Sequence, residues 1–318
     1  MKKSILSDLE KLCPNNTFSN VSLAKVSRWK IGGKAKILLQ PSSQKEISEV
    51  KKYFNKYDIP YIIIGATSNL LFSDEGLKIP CIQIGQNLSK INVKGSQIEV
   101  EAGAWAPMVA RQAMLAGLTG LEHSCGIPGS FGGLVCMNGG SQQKGVGEKV
   151  IYVVTVNKFG RVNIYPKSAC KFGYRSSTFQ GGSETIVKVL LQLNPATEPK
   201  QIRAHMLNIL KERKKKFPQN MPNCGSVFKS NPNMYDNVGP PGVVIEKLGF
   251  KGRQIGDALV SPVHANFIVN LGNARANDVL MLIKEIQLRV RAETGYFLES
   301  EAVYVSSDGQ MLPAGLKS

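Results

Sequence analysis

The sequence lacks the features that mark membrane, secreted and disulfide-rich proteins. None of its apolar runs approaches the ~20 residues that a membrane helix needs. A signal peptide is not predicted either, because the apolar N-terminal stretch contains Asp8, Glu10 and Lys11. The six cysteines form no C-x-x-C pair, so neither a disulfide scaffold nor a zinc site is indicated. We therefore expect a reduced cytoplasmic chain that binds no metal and no membrane.

Several catalytic signatures are missing as well. The chain has no G-x-G-x-x-G before a helix and no G-x-x-x-x-G-K-[ST], which excludes the common dinucleotide and P-loop motifs. It has no G-x-S-x-G elbow, so a serine hydrolase of that type is not predicted. Its three histidines are far apart in the sequence and show no metal-ligand spacing.

Acidic residues are few relative to basic ones. The chain carries 40 Lys and Arg against 23 Asp and Glu, which gives a net charge of +17. A surplus of this kind fits nucleic-acid binding, and it also fits a small anionic ligand. The dense basic run at 213–216, "RKKK", is not accompanied by a nucleic-acid-binding motif. We expect no nucleic-acid partner and keep nucleic-acid binding as an alternative.

Helical and strand-like patterns are mixed along the chain, which predicts an α+β protein. Ser43 and Glu46 have the spacing of a capping box before an apolar stripe, and they predict a helix over 43–56. Asn277 is the expected N-cap of a C-terminal helix. The other predicted elements are helices at 106–116, 199–216, 240–249 and 276–293, and strands at 61–65, 96–103, 149–165 (a hairpin turning near 158–160), 184–194, 265–272 and 296–305. A domain boundary is expected around 195–205, because the hinge-like "NPATEPKQ" lies there.

Glycine is concentrated in one stretch, "GIPGSFGGLVCMNGG" at 126–140, which has six glycines in fifteen positions. A turn needs one or two glycines, whereas several of them let the backbone approach a ligand closely. Such loops can also point backbone N–H groups at one anion. The second glycine loop, "GATSNLL" at 65–71, is explained by a turn when it is taken alone. The longer stretch therefore indicates contact with a ligand.

Three polar positions lie in apolar settings and are candidates for chemistry. Arg175 lies between aromatic residues, Ser226 precedes an expected strand, and Glu301 shares one face of a predicted strand with Glu299. Taken singly, each has an ordinary structural explanation, such as an arginine stacked on a ring or a turn serine.

Together these segments resemble the UDP-N-acetylenolpyruvoylglucosamine reductase (MurB) family. The resemblance covers nearly the whole chain, and its segments follow the family's order. They are "WKIGGKA" at 29–35, "GATSNLLFSDEG" at 65–76, the glycine stretch, "FGYRSSTF" at 172–179, "NCGSVFKSNP" at 223–232, the run 245–279 from "IEKLGF" to "ANDV", and "FLESEAVYV" at 297–305.

The resemblance implies a fold and a cofactor. It implies an FAD-binding region of the vanillyl-alcohol-oxidase (PCMH) type over 1–200, with subdomains at about 1–85 and 86–200. A smaller α+β substrate-binding domain would follow at 201–296, and a last strand in 297–318 would return to the first region. The positions that match the family's FAD contacts are Ile31, Gly32, Gly33, Gly65, Ser68, Asn69, Leu70, Gly126, Ile127, Pro128, Gly129, Ser130, Gly132, Gly133 and Asn138.

The resemblance also implies the reaction. NADPH would reduce tightly bound FAD, and the enolpyruvyl group of UDP-N-acetylglucosamine enolpyruvate would then be reduced to give UDP-N-acetylmuramate for peptidoglycan. Arg175 would stabilise developing charge, Glu301 would assist as an acid or hydrogen-bond partner, and Ser226 would donate the proton. Glu301 is chosen over Glu299 because it matches the second Glu of the family's L-E-x-E-V pattern. The substrate-side candidates are Tyr174, Lys216, Asn231 and Asn266.

The chain departs from the family pattern after the glycine stretch. The family reads M-N-x-G-A-Y-G there, whereas this chain reads "MNGGSQQKGVGE" and lacks the tyrosine. The spacing of 51 residues from Arg175 to Ser226 (226 − 175) suits the shorter class of the family, which lacks an inserted tyrosine-bearing loop. We expect a monomer. The alternatives are a paralogous FAD oxidoreductase for another nucleotide sugar, and a flavin-free nucleotide or nucleic-acid binding protein.

Overall fold

The chain folds into two compact units. A computed structural model describes residues 2–141, 144–181, 183–196 and 198–316. Unit 1 consists of Met1–Ser19, Ile37–Ala66 and Pro80–Arg213, and unit 2 consists of Asn20–Lys36, Thr67–Ile79 and Lys214–Ser318. This division concerns backbone packing alone, so the division into ligand-binding domains made from the sequence stays a prediction.

Eight α-helices occur in the described residues. They are α1 Lys2–Leu12, α2 Leu23–Val26, α3 Gln44–Lys56, α4 Ala106–Leu115, α5 Phe131–Cys136, α6 Pro199–Lys216, α7 Pro241–Lys247 and α8 Ala276–Thr294. No described helix is long and apolar enough to cross a membrane.

The strands are short in most cases, and the long ones lie in unit 1. They are β1 Thr17–Ser22, β2 Lys34–Leu39, β3 Ile62–Ile64, β4 Leu70–Phe72, β5 Cys81–Gln83, β6 Ile91–Lys94, β7 Gln97–Glu101, β8 Leu118–Thr119, β9 Gly140–Ser141, β10 Lys144–Gly145, β11 Val150–Val156, β12 Val162–Pro166, β13 Thr185–Gln192, β14 Asn194–Pro195, β15 Gln254–Ile255, β16 Ala258–Val260, β17 Ile268–Asn270, β18 Val303–Val305 and β19 Met311–Pro313.

Unit 1 is built on a five-stranded sheet in the order β12-β11-β13-β7-β6, in which all neighbours are antiparallel. A second sheet has the order β1-β2-β5-β3, and both β2 and β3 run parallel to β5. Apolar side chains of both sheets and of helices α3, α4 and α6 form one buried core. The predicted hairpin is confirmed, because β11 and β12 pair across a turn in which Gly160 donates to Asn157 O at 3.0 Å.

The core of unit 1 also contains a buried ammonium group. Lys51 on α3 is 1% exposed, and its Nζ donates to the carbonyl oxygens of Val156 and Ser183 and to Thr185 Oγ1, each at 2.7 Å. These three acceptors fasten α3 to the strands β11 and β13. A buried charge needs such partners, because an unpaired ammonium away from water is costly.

Unit 2 combines two three-stranded sheets with α7 and α8. Strands β15, β16 and β17 form an antiparallel meander, whereas β18 runs parallel to β4 and antiparallel to β19. Trp29 is fully buried here, and its Nε1 donates to Ile268 O at 2.7 Å. Asn270 Nδ2 donates in turn to Trp29 O at 2.9 Å. The "WKIGG" segment is thus fixed by its tryptophan.

The helix caps differ in part from the expectations. Ser43 caps α3 by accepting from the N–H of Glu46 at 3.2 Å, as predicted, but the Glu46 carboxylate accepts from Ser42 instead of completing the box. Asn277 as the N-cap of α8 is wrong. The cap is Arg275, whose N–H donates to Asp278 Oδ2 at 2.9 Å.

The predicted strand over 296–305 is too long. Only Val303–Val305 forms a strand, because its partner β4 has three residues. The preceding residues still alternate in burial: Leu298 and Ser300 are buried, whereas Glu299 is exposed and Glu301 is half-buried.

Candidate functional site

The glycine stretch of unit 1 is held to the segment that leads into α4. The N–H groups of Phe131 and Gly132 donate to the carbonyl oxygens of Ala104 and Ala102, each at 2.7 Å. Trp105 and Ser130 form an isolated antiparallel bridge between the same two segments. The stretch is therefore a supported part of the unit, with α5 starting at Phe131.

Packing inside the unit explains four of its six glycines. A Cβ on Gly132 would lie 2.7 Å from Ala102 Cβ, and one on Gly139 would lie 2.6 Å from Leu134 Cδ1. A Cβ on Gly126 would collide with Arg213 of α6. One on Gly140 would collide with the carbonyl oxygen of Lys144. The glycine count alone therefore overstates the surface that faces a ligand.

Gly133 is a position of the stretch where a ligand could approach. Gly133 is exposed, and a Cβ there would meet only Ser130 Oγ, at 3.2 Å. Gly65, at the end of β3, contacts the same Oγ so closely that no Cβ would fit. The two glycine loops thus meet at Ser130. In the described part of the chain, the N–H groups of Ser130 and Gly133 have no protein acceptor, and backbone N–H groups of this kind can bind an anionic group.

Three more predicted FAD contacts in the glycine stretch are Ile127, Pro128 and Gly129. Ile127 donates from its N–H to Ser124 O at 3.0 Å, and Gly129 accepts from the N–H of Ala106 at 2.9 Å. Ile127 and Pro128 are half-buried, and Gly129 is buried. They lie on the chain between Gly126 and Ser130, and they stay predicted contacts of FAD.

Six of the predicted cofactor residues lie in unit 2. Ile31 is buried, and Gly32 and Gly33 pack closely on Phe72 and Asp74. Ser68, Asn69 and Leu70 are half-buried in the turn that leads into β4. Asn69 Nδ2 donates to Glu301 O at 2.8 Å, so this turn anchors the segment of a predicted catalytic residue.

Arg175 lies in a tight turn of unit 1. Its φ is +51°, in the left-handed region that an arginine rarely adopts. The N–H groups of Gly173 and Ser176 donate to each other's carbonyl oxygens at 3.1 and 3.2 Å. The predicted substrate residue Tyr174 is 67% exposed at the tip of this turn. A strained backbone that is held in place in this way is often found at functional sites.

Ser226 and Glu301 belong to neighbouring segments of unit 2. The N–H of Glu301 donates to Val227 O at 2.7 Å, and Phe228 and Ser300 form an isolated antiparallel bridge. The structure therefore brings together the backbones that carry these two predicted catalytic residues. Both side chains are half-buried, which leaves each of them partly accessible.

The predicted substrate residue Asn266 has a structural place. It is 7% exposed, its Oδ1 accepts from the N–H of Phe228 at 2.9 Å, and its Nδ2 donates to Phe228 O at 3.0 Å. Asn231 caps a short turn by accepting from the N–H of Asn233 at 3.2 Å. Lys216 is exposed at the last residue of α6.

Two further residues near these segments were not singled out by the sequence analysis. Asn223 Oδ1 accepts from the N–H of Gly225 at 2.9 Å, and its Nδ2 donates to Pro218 O and Met221 O. An asparagine two residues before a glycine is a signal for such a turn. His123 beside the glycine stretch is buried, and burial lowers its pKa, which favours the neutral ring.

Comparison with known families gives two matches along the chain. Residues 35–163 match the model of an FAD binding domain. Residues 217–305 match the model of the UDP-N-acetylenolpyruvoylglucosamine reductase C-terminal domain.

Whole-chain relatives agree with these matches. UDP-N-acetylenolpyruvoylglucosamine reductase 1 of Corynebacterium glutamicum is 40% identical over 296 residues, covering 93% of this chain and 88% of the relative. The reductase of Desulforamulus reducens is 34% identical, covering 96% of this chain and 99% of the relative. The crystal structure of the Thermus caldophilus reductase is similar at a TM-score of 0.76 and 31% identity, covering 89% of this chain and 97% of that one.

Proposed function

The chain belongs to the UDP-N-acetylenolpyruvoylglucosamine reductase family, and from that premise we propose its reaction. It is an FAD-containing oxidoreductase that uses NADPH to reduce UDP-N-acetylglucosamine enolpyruvate to UDP-N-acetylmuramate. The observation that carries this proposal is the full-length similarity to the reductases, 40% identity over 93% of the chain in one case.

The glycine loops of unit 1 support an FAD site. Gly133 is exposed, and in the described part of the chain the N–H groups of Ser130 and Gly133 have no protein acceptor. FAD held there would supply the hydride-transfer chemistry between NADPH and the substrate. The protein's part is to bind and orient the cofactor and to exclude water from it.

The residues of this chain would stabilise charge and move a proton. Negative charge builds on the substrate carboxylate during reduction, and the Arg175 guanidinium, with Glu301 as acid or hydrogen-bond partner, would stabilise it. The Ser226 hydroxyl would donate a proton to the carbon next to the carboxylate. The backbone bond between Glu301 and Val227 supports a shared role for Ser226 and Glu301, because it fixes their segments together.

Membership of this family also supports proposals about the pathway, the cellular location and the electron donor. We place the enzyme in peptidoglycan synthesis, and hence in cell shape and division, and in the cytoplasm. The cysteines of the described residues are all free thiols, which fits a reducing compartment. NADPH over NADH as donor, and a monomeric state, stay predictions that steady-state kinetics and analytical ultracentrifugation would measure.

An anaerobic half-reaction experiment tests the function. The purified holoprotein is reduced with one equivalent of NADPH, and UDP-N-acetylglucosamine enolpyruvate is then added. We expect the flavin absorption bands to bleach and then to return. Bands that stay bleached would assign the chain to another substrate, such as a different nucleotide sugar. A preparation that stays colourless after FAD is added would overturn the flavoenzyme proposal.

A further inference from the structure

The turn that carries Arg175 is tied to the end of the glycine stretch by two hydrogen bonds and is held by a third from within its own segment. Asn138 Nδ2 donates to Gly173 O at 2.8 Å, and Ser177 Oγ donates to Cys136 O at 2.6 Å. Gln180 Nε2 donates to Arg175 O at 3.0 Å. The three bonds hold Gly173 before Arg175, the carbonyl of Arg175 itself, and Ser177 after it. The backbone of Arg175 is thus held from both sides.

Asn138 uses both polar atoms of its side chain for this purpose. While Nδ2 donates to Gly173 O, Oδ1 accepts from the N–H of Gly147 at 2.9 Å. A Cβ on Gly147 would lie 2.5 Å from the Phe172 ring and 2.8 Å from Asn138 Oδ1. The site therefore needs a side chain of this length that both donates and accepts, which Asn offers and Asp does not.

Asn138 itself is in the left-handed region, with φ +41°. Its side chain bonds Gly173, two residues before Arg175, which has a φ of +51°. Strained conformations persist only where surrounding contacts hold them. Removing the Nδ2 donor would let Arg175 relax toward ordinary backbone angles.

We propose that Asn138 is a positioning residue that sets the orientation of Arg175, in place of the FAD contact predicted from the sequence. The inference rests on the proposed function, because it takes Arg175 to be the group that stabilises charge on the substrate. Through Asn138, the stretch that binds the cofactor also aims the catalytic arginine. Gln180 has a smaller share in the same role, because it holds the carbonyl of Arg175 from the exposed side.

The test compares Asn138→Asp with Asn157→Asp. The first substitution keeps the acceptor for Gly147 and removes the donor to Gly173. Asn157 Oδ1 accepts from the N–H groups of Phe159 and Arg161, and within the described ranges its Nδ2 has no bond that the same substitution would remove. For each holoprotein, hydrogen exchange of the 173–176 amides, FAD affinity and the two half-reactions are measured.

We expect Asn138→Asp to speed exchange at 173–176 and to slow flavin reoxidation by the substrate about 10- to 100-fold, as misplacement of a reacting group does. Flavin reduction by NADPH and FAD affinity should stay as in the wild type, and Asn157→Asp should change none of the four. In an Arg175→Lys background, Asn138→Asp should add little to the loss. Weaker FAD binding with unchanged exchange would overturn the proposal and restore Asn138 as a cofactor contact.

Gln180→Glu provides a second variant on an exposed side chain in case Asn138→Asp does not fold. It removes the donor to Arg175 O, so we expect faster exchange at 173–176 and a few-fold slower reoxidation. Unchanged values in this variant would contradict the proposal. If the wild type itself is not reoxidised by the substrate, the proposed function fails, whereas the exchange data still decide whether these side chains hold the turn.

Discussion

The turn that carries Arg175 in unit 1 and the segment that carries Ser226 in unit 2 are both fixed by asparagine side chains, at different depths. Asn266 is 7% exposed and bonds Phe228 in both directions, beside a fully buried core. Asn138 is half-buried and bridges two loops, Gly147 and Gly173. The difference indicates that Ser226 is placed by the core of its unit, whereas Arg175 is placed by a strained turn near the surface.

The two units also differ in the polar groups that they bury. Among the described residues, unit 2 buries the indole of Trp29 and hydroxyl and carboxamide side chains such as those of Ser261, Asn270 and Gln287. Unit 1 buries ionisable groups as well, Lys51 and His123. Buried Lys51 therefore predicts an effect of alkaline pH on the stability of unit 1, and the buried carboxamides predict effects of amide substitution in unit 2.

The largest effect is expected from Ser226→Ala, which removes the proposed proton donor of unit 2. Flavin reoxidation by the substrate should slow by about 10²–10⁴-fold, the usual contribution of a general acid, while reduction by NADPH is unchanged. Stopped-flow absorbance separates the two steps. Ser306→Ala, in the loop after β18, serves as the control and should leave both rates intact. An equal loss in both half-reactions would argue against this role for Ser226.

Next in size is the loss of stability in Asn266→Ala. The N–H and carbonyl of Phe228 would lose their partners inside the protein, at a cost on the order of 2–4 kcal/mol. Urea unfolding of the apoprotein measures it. Asn237, which donates to Tyr296 OH from an exposed position, is the matched control, and its alanine variant should change stability by under about 0.5 kcal/mol. Equal losses in the two variants would contradict the inference that the core of unit 2 holds the Ser226 segment in place.

Local sequence signals predicted much of this fold. The helix after Ser43, the hairpin of β11 and β12, and the strands β3, β7 and β13 follow from caps and apolar periodicity, which depend on neighbouring residues. The family segments also indicated which residues to examine in the site. These features needed no knowledge of distant contacts.

Features that depend on residues distant in sequence could not be predicted in this way. The N–H groups at the start of α8 donate to Asp74, about two hundred positions away, so Asn277 is not needed as the cap. The glycines of the 126–140 stretch looked alike in sequence, but Gly126 and Gly132 are explained only by Arg213 and Ala102. Asn138 gave no signal of its link to Gly173, because that bond depends on how two loops meet.

The third prediction uses the buried ammonium of unit 1. Burial lowers the pKa of Lys51 from 10.5 to about 8, although Glu184 opposes the shift. Between these values the unfolded chain binds more protons, so the unfolding free energy rises with pH. Relative to Lys51→Met, the wild type should gain roughly 2 kcal/mol between pH 7 and pH 9.5. A pH-independent difference would mean that the three acceptors keep the amine charged throughout.

The smallest effects separate two adjacent glycines of the 126–140 stretch. Gly132→Ala places a methyl group 2.7 Å from Ala102 Cβ and 3.1 Å from its carbonyl oxygen, so the apoprotein should lose roughly 1–2 kcal/mol by overpacking. Gly133→Ala meets only Ser130 Oγ at 3.2 Å on an exposed part of α5, so apoprotein stability should stay within about 0.5 kcal/mol.

FAD affinity should follow the opposite order, because Gly133 is the glycine whose Cα is open to a ligand. We expect Gly133→Ala to weaken FAD binding about tenfold, a loss of roughly 1.4 kcal/mol, when FAD is titrated into apoprotein and followed by flavin fluorescence. Gly132→Ala should bind FAD normally at temperatures where it is folded. If Gly133→Ala binds FAD as the wild type does, the exposed glycine has only a structural role in the backbone. The cofactor must then contact the stretch elsewhere.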